Sequence, residues 1–560
     1  MAVGLSIKMI NNNNKNKSEF VKELAKRTRM LRDILLTRGL ESEAGGNKGN
    51  LNDIHGFYNA FKTYLNRDLS KEEFAGMYAR TVTFGLVTAA FQCRYGFDLK
   101  TFTRHIRHAK GILRDIFHFV FNFNQSRFLE TGIDYIVDLL KSDDTMRILK
   151  EYNANSSGDD PIHQFYENFL REYDPVLREK MGVYHTPRPV VSFIVRSIHS
   201  ILKKKLNRPY GLADLNIKVL DPAAGTGAFL LNVARLAVDE FAANCGEGTR
   251  KLFIHDYLEK TLYGFELMPE AYAVSYLKMA YLINSMRADR RESAGKRLNI
   301  YLTDTLDIEY IKQQDVPLIA SLAEESRLAW KIKKEMPLTV ILGNPPYSGH
   351  SSNSGRWISG EIKDYHHIDG KPIREKNIKW LQDDYVKFIR FAQHKIDETG
   401  EGVVGYITNN GFLDNITFRG MRRSLLNSFD EMYILNLHGS LLKSEKSPGG
   451  STDENVFDIR QGVAISLFIK IKGREEKKAC RVFYSELFGT RKSKFAQLDG
   501  NDIDTINWRE IFPHNRYYLF KPRHQEDSAM KTGSNYDKFY KITDIFPVHL
   551  QVLSSILNLN

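Results

Sequence analysis

The sequence predicts an α/β fold, a parallel sheet flanked by helices, preceded by an all-helical region, and three observations carry that prediction. The apolar run Leu338-Thr339-Val340-Ile341-Leu342 reads as a buried strand that delivers Asn344-Pro345-Pro346-Tyr347 to a sheet edge. Upstream, Ile217-Lys218-Val219-Leu220 reads as a second strand, entering Asp221-Pro222-Ala223-Ala224-Gly225-Thr226-Gly227 and then a helical pattern from Ala228 to about Phe241. Ahead of both, Phe20, Val21, Leu24, Leu31, Ile34 and Leu35 repeat at helical spacing with Lys and Arg on the opposite face.

Each element brings chemistry to one place. The carboxyl edge of an open parallel sheet is where such folds hold ligands. The Asn344 amide oxygen stands beside two prolines, which lack N–H donors and stiffen the backbone, so the turn is a rigid array of acceptors suited to an amino group. Tyr347 adds a flat π surface, so an amine on an aromatic ring, such as the exocyclic nitrogen of adenine, fits best. In the other turn, Gly225 and Gly227 allow a tight bend and close approach to a ligand, and the helix that follows offers N–H groups to negative charge. Tyr263-Gly264-Phe265-Glu266 ends the next strand in a carboxylate that could accept from ribose hydroxyls. Glu266 lies farther along than the roughly 20 residues of a dinucleotide fold, with Cys245-Gly246-Glu247-Gly248-Thr249 read as an inserted loop.

These motifs, in this order, resemble the S-adenosylmethionine-dependent amino-methylating DNA methyltransferases, the adenine N6 class with an Asn-Pro-Pro-Tyr motif. The resemblance covers about residues 180 to 470. It implies a Rossmann-like methyltransferase domain, with Asn344, Pro345, Pro346 and Tyr347 catalytic and Asp221, Ala223, Gly225, Gly227 and Glu266 at the cofactor. Gly182-Val183-Tyr184-His185-Thr186-Pro187 looks like the family segment at the cofactor's methionine end, with Thr186 near its carboxylate. Asp304, after Asn299-Ile300-Tyr301-Leu302-Thr303, corresponds to the acid that receives the cofactor's adenine. Asn455-Val456-Phe457 is placed like the segment whose aromatic packs on an extruded base, so Phe457 joins Tyr347 as a stacking candidate. Two departures are visible: His185 stands where an aromatic is frequent, and Ala223 where some branches have one.

Composition agrees. With 80 Lys plus Arg against 68 Asp plus Glu, the chain carries formal charge +12, as expected of a protein that tracks phosphates; double-stranded DNA is the expected partner. Cys93, Cys245 and Cys480 are isolated, so neither a disulfide framework nor a zinc spacing exists, and a reducing cytoplasm is expected. The longest weakly charged stretch, Thr81 to Cys93, is far short of the roughly 20 residues of a membrane span. His350, His366 and His367 read as solvated loop histidines, and no metal site is expected. No phosphate-loop motif of a nucleotide-driven motor is present.

The expected organisation is a flexible N-terminus over 1–17, a helical domain over 18–180, the methyltransferase domain over 181–472, and the start of an incomplete target-recognition region over 473–560. Two basic stretches, Arg104 to Arg114 and Arg491 to Lys494, are candidate phosphate contacts, the first also readable as the solvated face of an amphipathic helix. Ser348 to about Lys379, rich in Gly, Ser and charge, is expected to be a mobile loop that orders over DNA. The region before residue 180 and the run after Tyr347 resemble the modification portion of Type ISP and Type IIG restriction-modification enzymes; nuclease, motor or recognition functions would come from other segments or a partner chain. Two alternatives stay open: an inactive, truncated DNA-binding remnant, and a methyltransferase acting on a protein glutamine amide.

Overall fold

The computed structural model describes residues 2–41, 54–92, 97, 112–114, 127–155, 161–175, 186–286, 297–309, 320–347, 355–373, 378–473, 479–513 and 516–522. His185, His350 and most of the Arg104 to Arg114 cluster lie outside them.

The first part is helical, as its periodicity dictates: α1 (Ala2–Ile34), α2 (Ile54–Tyr64), α3 (Lys71–Gln92), α4 (Arg127–Lys141), α5 (Asp143–Asn155) and α6 (Pro161–Tyr173). Phe20, Val21 and Leu24 are buried, and the Phe20 ring meets Phe165 of α6 with centroids 5.9 Å apart. Helix α1 begins at Ala2, within the segment 1–17. A helix nucleated by its packed half extends without a second nucleation cost.

A nine-stranded sheet follows, in the order β11-β10-β8-β9-β7-β4-β1-β2-β3. The parallel half comprises β1 (Val219–Asp221), β2 (Leu262–Glu266), β3 (Ile300–Leu302), β4 (Val340–Gly343) and β7 (Gly402–Asn409). β9 (Val463–Lys470) runs antiparallel to both β7 and β8 (Glu431–His438), so β7 and β8 point the same way. The helices around the sheet are α7 (Arg188–Lys205), α8 (Ala228–Cys245), α9 (Arg250–Lys260), α10 (Pro269–Met286) and α11 (Ala320–Glu335), then α12 (Arg356–Glu361), α13 (Asp384–Thr399), α14 (Arg419–Ser428) and α15 (Arg491–Gly500). The helical part meets the sheet part through α3 and α10, where Arg80 donates to Glu270 at 2.6 Å with both side chains almost wholly buried.

Three expectations are corrected. The sheet does not stop at residue 472: β10 (Arg481–Glu486) pairs parallel with β8, and β11 (Arg509–Ile511) closes the edge. Alternating burial along Arg481 to Glu486 gives β10 the apolar face a sheet can cover. Helix α15 then packs on α7, where the Arg196 guanidinium donates to the carbonyls of Leu498, Asp499 and Asn501 at 2.7, 3.1 and 2.6 Å.

The Arg491 to Lys494 cluster is not a free phosphate surface. Lys494 is fully buried, donating to Leu437 O, Asp453 Oδ2 and Glu454 O at 2.6, 2.9 and 2.7 Å, and Arg491 is held by the Asn455 and Phe457 carbonyls. Nor is the segment after Tyr347 a structureless loop where it is described. Residues 355–373 form α12, a 3-10 turn and the β5–β6 hairpin (His367–Ile368 with Lys371–Pro372), anchored by buried Ile358, Ile362 and Tyr365. Those three anchors give the segment the core that its Gly and Ser content concealed.

Candidate active site

β1 and β4 are parallel neighbours with Leu220 opposite Ile341, so Asp221 and Asn344 leave the sheet at one edge. The Asp221 carboxylate accepts from the Ala223 N–H at 3.1 Å, and burial pushes its pKa up to about 8. It also dictates the residue before Asn344: a Cβ on Gly343 would lie 2.7 Å from Asp221 Oδ1. The two motifs therefore fix each other's backbone.

The two glycines of the first turn answer to different constraints. Gly227, at φ 83°, precedes α8, and a Cβ there would sit 2.6 Å from Ser275 Oγ of α10. Gly225, at φ 53°, would place a Cβ with nothing inside 4 Å, so its open side is where a ligand can come close. The acid of β2 clasps this turn. Gly225 N donates to Glu266 Oε2 at 2.7 Å, while Oε1 accepts from Leu267 N and Met268 N at 2.9 and 2.7 Å. A carboxylate oxygen accepts about two hydrogen bonds, so Oε1 is filled by protein and Oε2 retains one place. Burial raises the Glu266 pKa to about 7, against the opposing pull of those N–H groups.

One strand further, Asp304 follows β3, its Oδ1 accepting from Leu306 N at 2.9 Å. Thr303 N donates to Glu266 O at 2.8 Å, tying the two strand ends together. Beneath them stands a residue the sequence reading missed. Lys333 of α11 is buried and donates from Nζ to Thr303 Oγ1, Asp304 O and Asp307 O at 2.8, 2.5 and 2.8 Å. Burial lowers its pKa to about 8, with Asp304 and Asp307 acting the other way. The available signal was register: Glu325, Ala329 and Lys333 are four apart and share the buried stripe of α11.

Thr186 is buried just before α7, and its hydroxyl accepts from the Asn344 side-chain Nδ2 at 3.0 Å. Pro345 and Tyr347 are buried, and Pro346 is half-buried. The structure thus gathers Thr186, Asp221, Ala223, Gly225, Gly227, Glu266 and Asn344 to Tyr347 at neighbouring strand ends, with Asp304 one strand further. Phe457 is set apart, ahead of β9, which β7 separates from β4. Its ring is buried, its N–H donates to Asn455 Oδ1 at 2.9 Å and its carbonyl accepts from Arg491 at 2.9 Å. Among the described residues no group of three or more His, Cys, Asp or Glu forms a metal cluster, and His367 Nδ1 pairs with Lys363 O at 2.9 Å.

A sheet with a glycine turn after β1, an acid closing β2 on one side of it and Asn-Pro-Pro-Tyr after β4 on the other has a Rossmann-like arrangement. Residues 157–428 match the family model described as N-6 DNA Methylase, in agreement with the resemblance read from the motifs. The fold is also similar to that of solved proteins in complex with DNA. DrdV, solved in complex with DNA, superposes with TM-score 0.70 at 21% identity, over 92% of this chain and 46% of that one. The ATP-dependent Type ISP enzyme LlaBIII bound to DNA gives 0.69 at 21% identity, over 91% and 32%. A nuclease-deletion mutant of the Type ISP enzyme LlaGI with a DNA substrate mimic gives 0.68 at 21% identity, over 92% and 39%. This chain thus spans less than half the length of each. A comparison with curated proteins gave no match.

Proposed function

We propose that this chain transfers a methyl group from S-adenosylmethionine to N6 of an adenine extruded from duplex DNA, as the modification part of a restriction-modification system in the cytoplasm. One observation carries the reading: Thr186 orients the Asn344 amide at the same sheet edge as the Asp221–Gly227 turn and Glu266. The family match over 157–428, and the description of DrdV, LlaBIII and LlaGI with DNA, support the reaction class and the partner.

The residues present fit the cofactor. Gly225 leaves its side of the turn open, Glu266 Oε2 has one acceptor place for a ribose hydroxyl, and Asp304 stands one strand away for the adenine amino group. When bound, the cofactor supplies an activated methyl on sulfur. Everything else falls to the protein. Adenine inside a duplex hides N6 in the stack, and extruding it costs a few kcal/mol. Tyr347 and Phe457 would recover part of that by stacking, about 1–3 kcal/mol per base, once their rings are uncovered by DNA binding. The Asn344 side-chain oxygen and the Pro345 carbonyl accept the two N6 hydrogens and aim the nitrogen lone pair at the methyl. Transfer would be a direct displacement, the N6–methyl bond forming as the sulfur–methyl bond breaks, with S-adenosylhomocysteine leaving and one N6 proton released to solvent, and orientation would supply much of the rate. Thr186 holds Asn344 in this role, and Lys333 holds the Thr303–Asp307 turn that carries Asp304.

The test pairs a methyl-transfer assay on duplex DNA with calorimetry of cofactor binding. Asn344→Ala should abolish transfer while cofactor affinity stays within a few-fold, because the amide acts on the target amine. Unchanged transfer by the variant would overturn the assignment.

A further inference from the structure

We infer that the turn at Ser440–Lys443 is an apolar wedge that enters a base step of duplex DNA on the flank of the catalytic site; this rests on the DNA reading above. β8 points the same way as β4 and β7, so its end at His438 and the loop to Val463 lie on the edge that carries Asn344. From β4 to β8 is three strand spacings, about 14 Å or roughly four base-pair rises along a duplex. At this position Leu441 and Leu442 are 63% and 60% exposed. One exposed leucine needs no account, but two adjacent ones on a backbone that cannot fold them away do.

The turn is held by hydrogen bonds. Leu441 N donates to Arg460 O at 3.0 Å, Ser444 N to Leu441 O at 3.3 Å and Glu445 N to Ser440 O at 3.2 Å. The Glu445 carboxylate accepts from Ser440 N at 2.9 Å and lies 3.5 Å from His438 Nδ1. Charge identifies the occupant. The acids of the loop are engaged with the protein: Glu445 as above, Asp453 with buried Lys494 at 2.9 Å, Glu454 with the Arg491 N–H at 2.7 Å, and the more exposed Asp458 with the Arg491 guanidinium at 2.8 Å. Exposed Lys443, 3.5 Å from Asp414, and exposed Lys446 follow the leucines in the same turn. A fixed apolar tip followed by exposed lysines suits a polyanion whose interior is apolar, which is a stack of base pairs. Apolar side chains inserted into a base step unstack and bend the duplex, and an unstacked step lowers the cost of extruding a base nearby.

The experiment compares the wild-type chain with the double variant Leu441→Ser/Leu442→Ser, titrated by fluorescence anisotropy against a short matched duplex and the same duplex with one central mismatch. A mismatched step is already partly unstacked, so the wild type should prefer it by about fivefold or more. The variant should lose that preference while its salt-dependent affinity for the matched duplex and its cofactor affinity stay unchanged. Equal preference in both proteins, or none in the wild type, overturns the wedge and leaves the DNA reading standing. Absence of salt-dependent binding to either duplex by either protein removes both. A change from dimer to monomer in the variant by sedimentation, with preference retained, would assign the leucines to self-association instead.

Discussion

The Asn344 side-chain amide donates to the Thr186 hydroxyl at 3.0 Å, joining two positions 158 residues apart in the chain. This bond sets which end of the amide turns away from α7, and so where an acceptor stands for the target amine. Thr186→Val keeps the shape and removes the acceptor. Methyl transfer should fall about 10- to 100-fold with cofactor affinity nearly unchanged, because small misplacement of a reacting group is costly. Thr186→Ser should restore most of it. Collapse of cofactor affinity with preserved turnover at saturation would instead place Thr186 at the cofactor's carboxylate.

Two buried groups should shape the pH profile of cofactor binding. Glu266 accepts from a ribose hydroxyl more strongly when ionised, and burial has raised its pKa to about 7, so affinity should rise as pH rises through 7. Lys333 has three acceptors to satisfy, and its pKa is lowered to about 8. Above that pH the neutral amine keeps two N–H groups, one acceptor is lost and affinity should fall again. Calorimetry from acid to alkaline pH should show both limbs, with Glu266→Gln lacking the lower one and Lys333→Met the upper. A profile identical in all three proteins would remove both residues from the site.

The two turn glycines should part company under substitution. Alanine at either is strained by about 1–2 kcal/mol at positive φ. Gly227→Ala also collides with Ser275, so it should melt lower than Gly225→Ala, and Ser275→Ala should recover part of the loss. Gly225→Ala should lower cofactor affinity more than its stability change explains. Equal melting temperatures for the two single variants would contradict the packing assigned to Gly227.

Arg80 and Glu270 form a buried link between the helical part and the sheet part. Arg80→Met leaves Glu270 charged and unpaired, which should cost about 3–5 kcal/mol in chemical denaturation. Removing both charges with Arg80→Met/Glu270→Met should recover most of it. A single variant as stable as wild type would show that the pair does not couple the two parts.

The sequence showed what depends on local pattern. The strand–turn–helix at Ile217 to Phe241, the strand entering Asn344 and the helical spacing before residue 180 all appear as read. What it hid depends on tertiary partners. Lys494 lies in a basic burst and Lys333 beside another lysine, and neither composition nor charge distinguishes a buried ammonium from a solvated one. Ile358, Ile362 and Tyr365 follow a helical spacing that glycines and serines diluted, and Val482 and Tyr484 alternate in a strand too short to stand out. Gly343 carries no sequence sign of its contact with Asp221, because that contact exists only when β1 and β4 are neighbours.

The most direct test of the central claim is mass spectrometry of nucleosides from duplex DNA incubated with the chain and S-adenosylmethionine carrying a deuterated methyl group. The account predicts the label on N6 of adenine, and none with Asn344→Ala. Label on cytosine, label recovered only in protein glutamine, or equal labelling by the Asn344→Ala chain would contradict it.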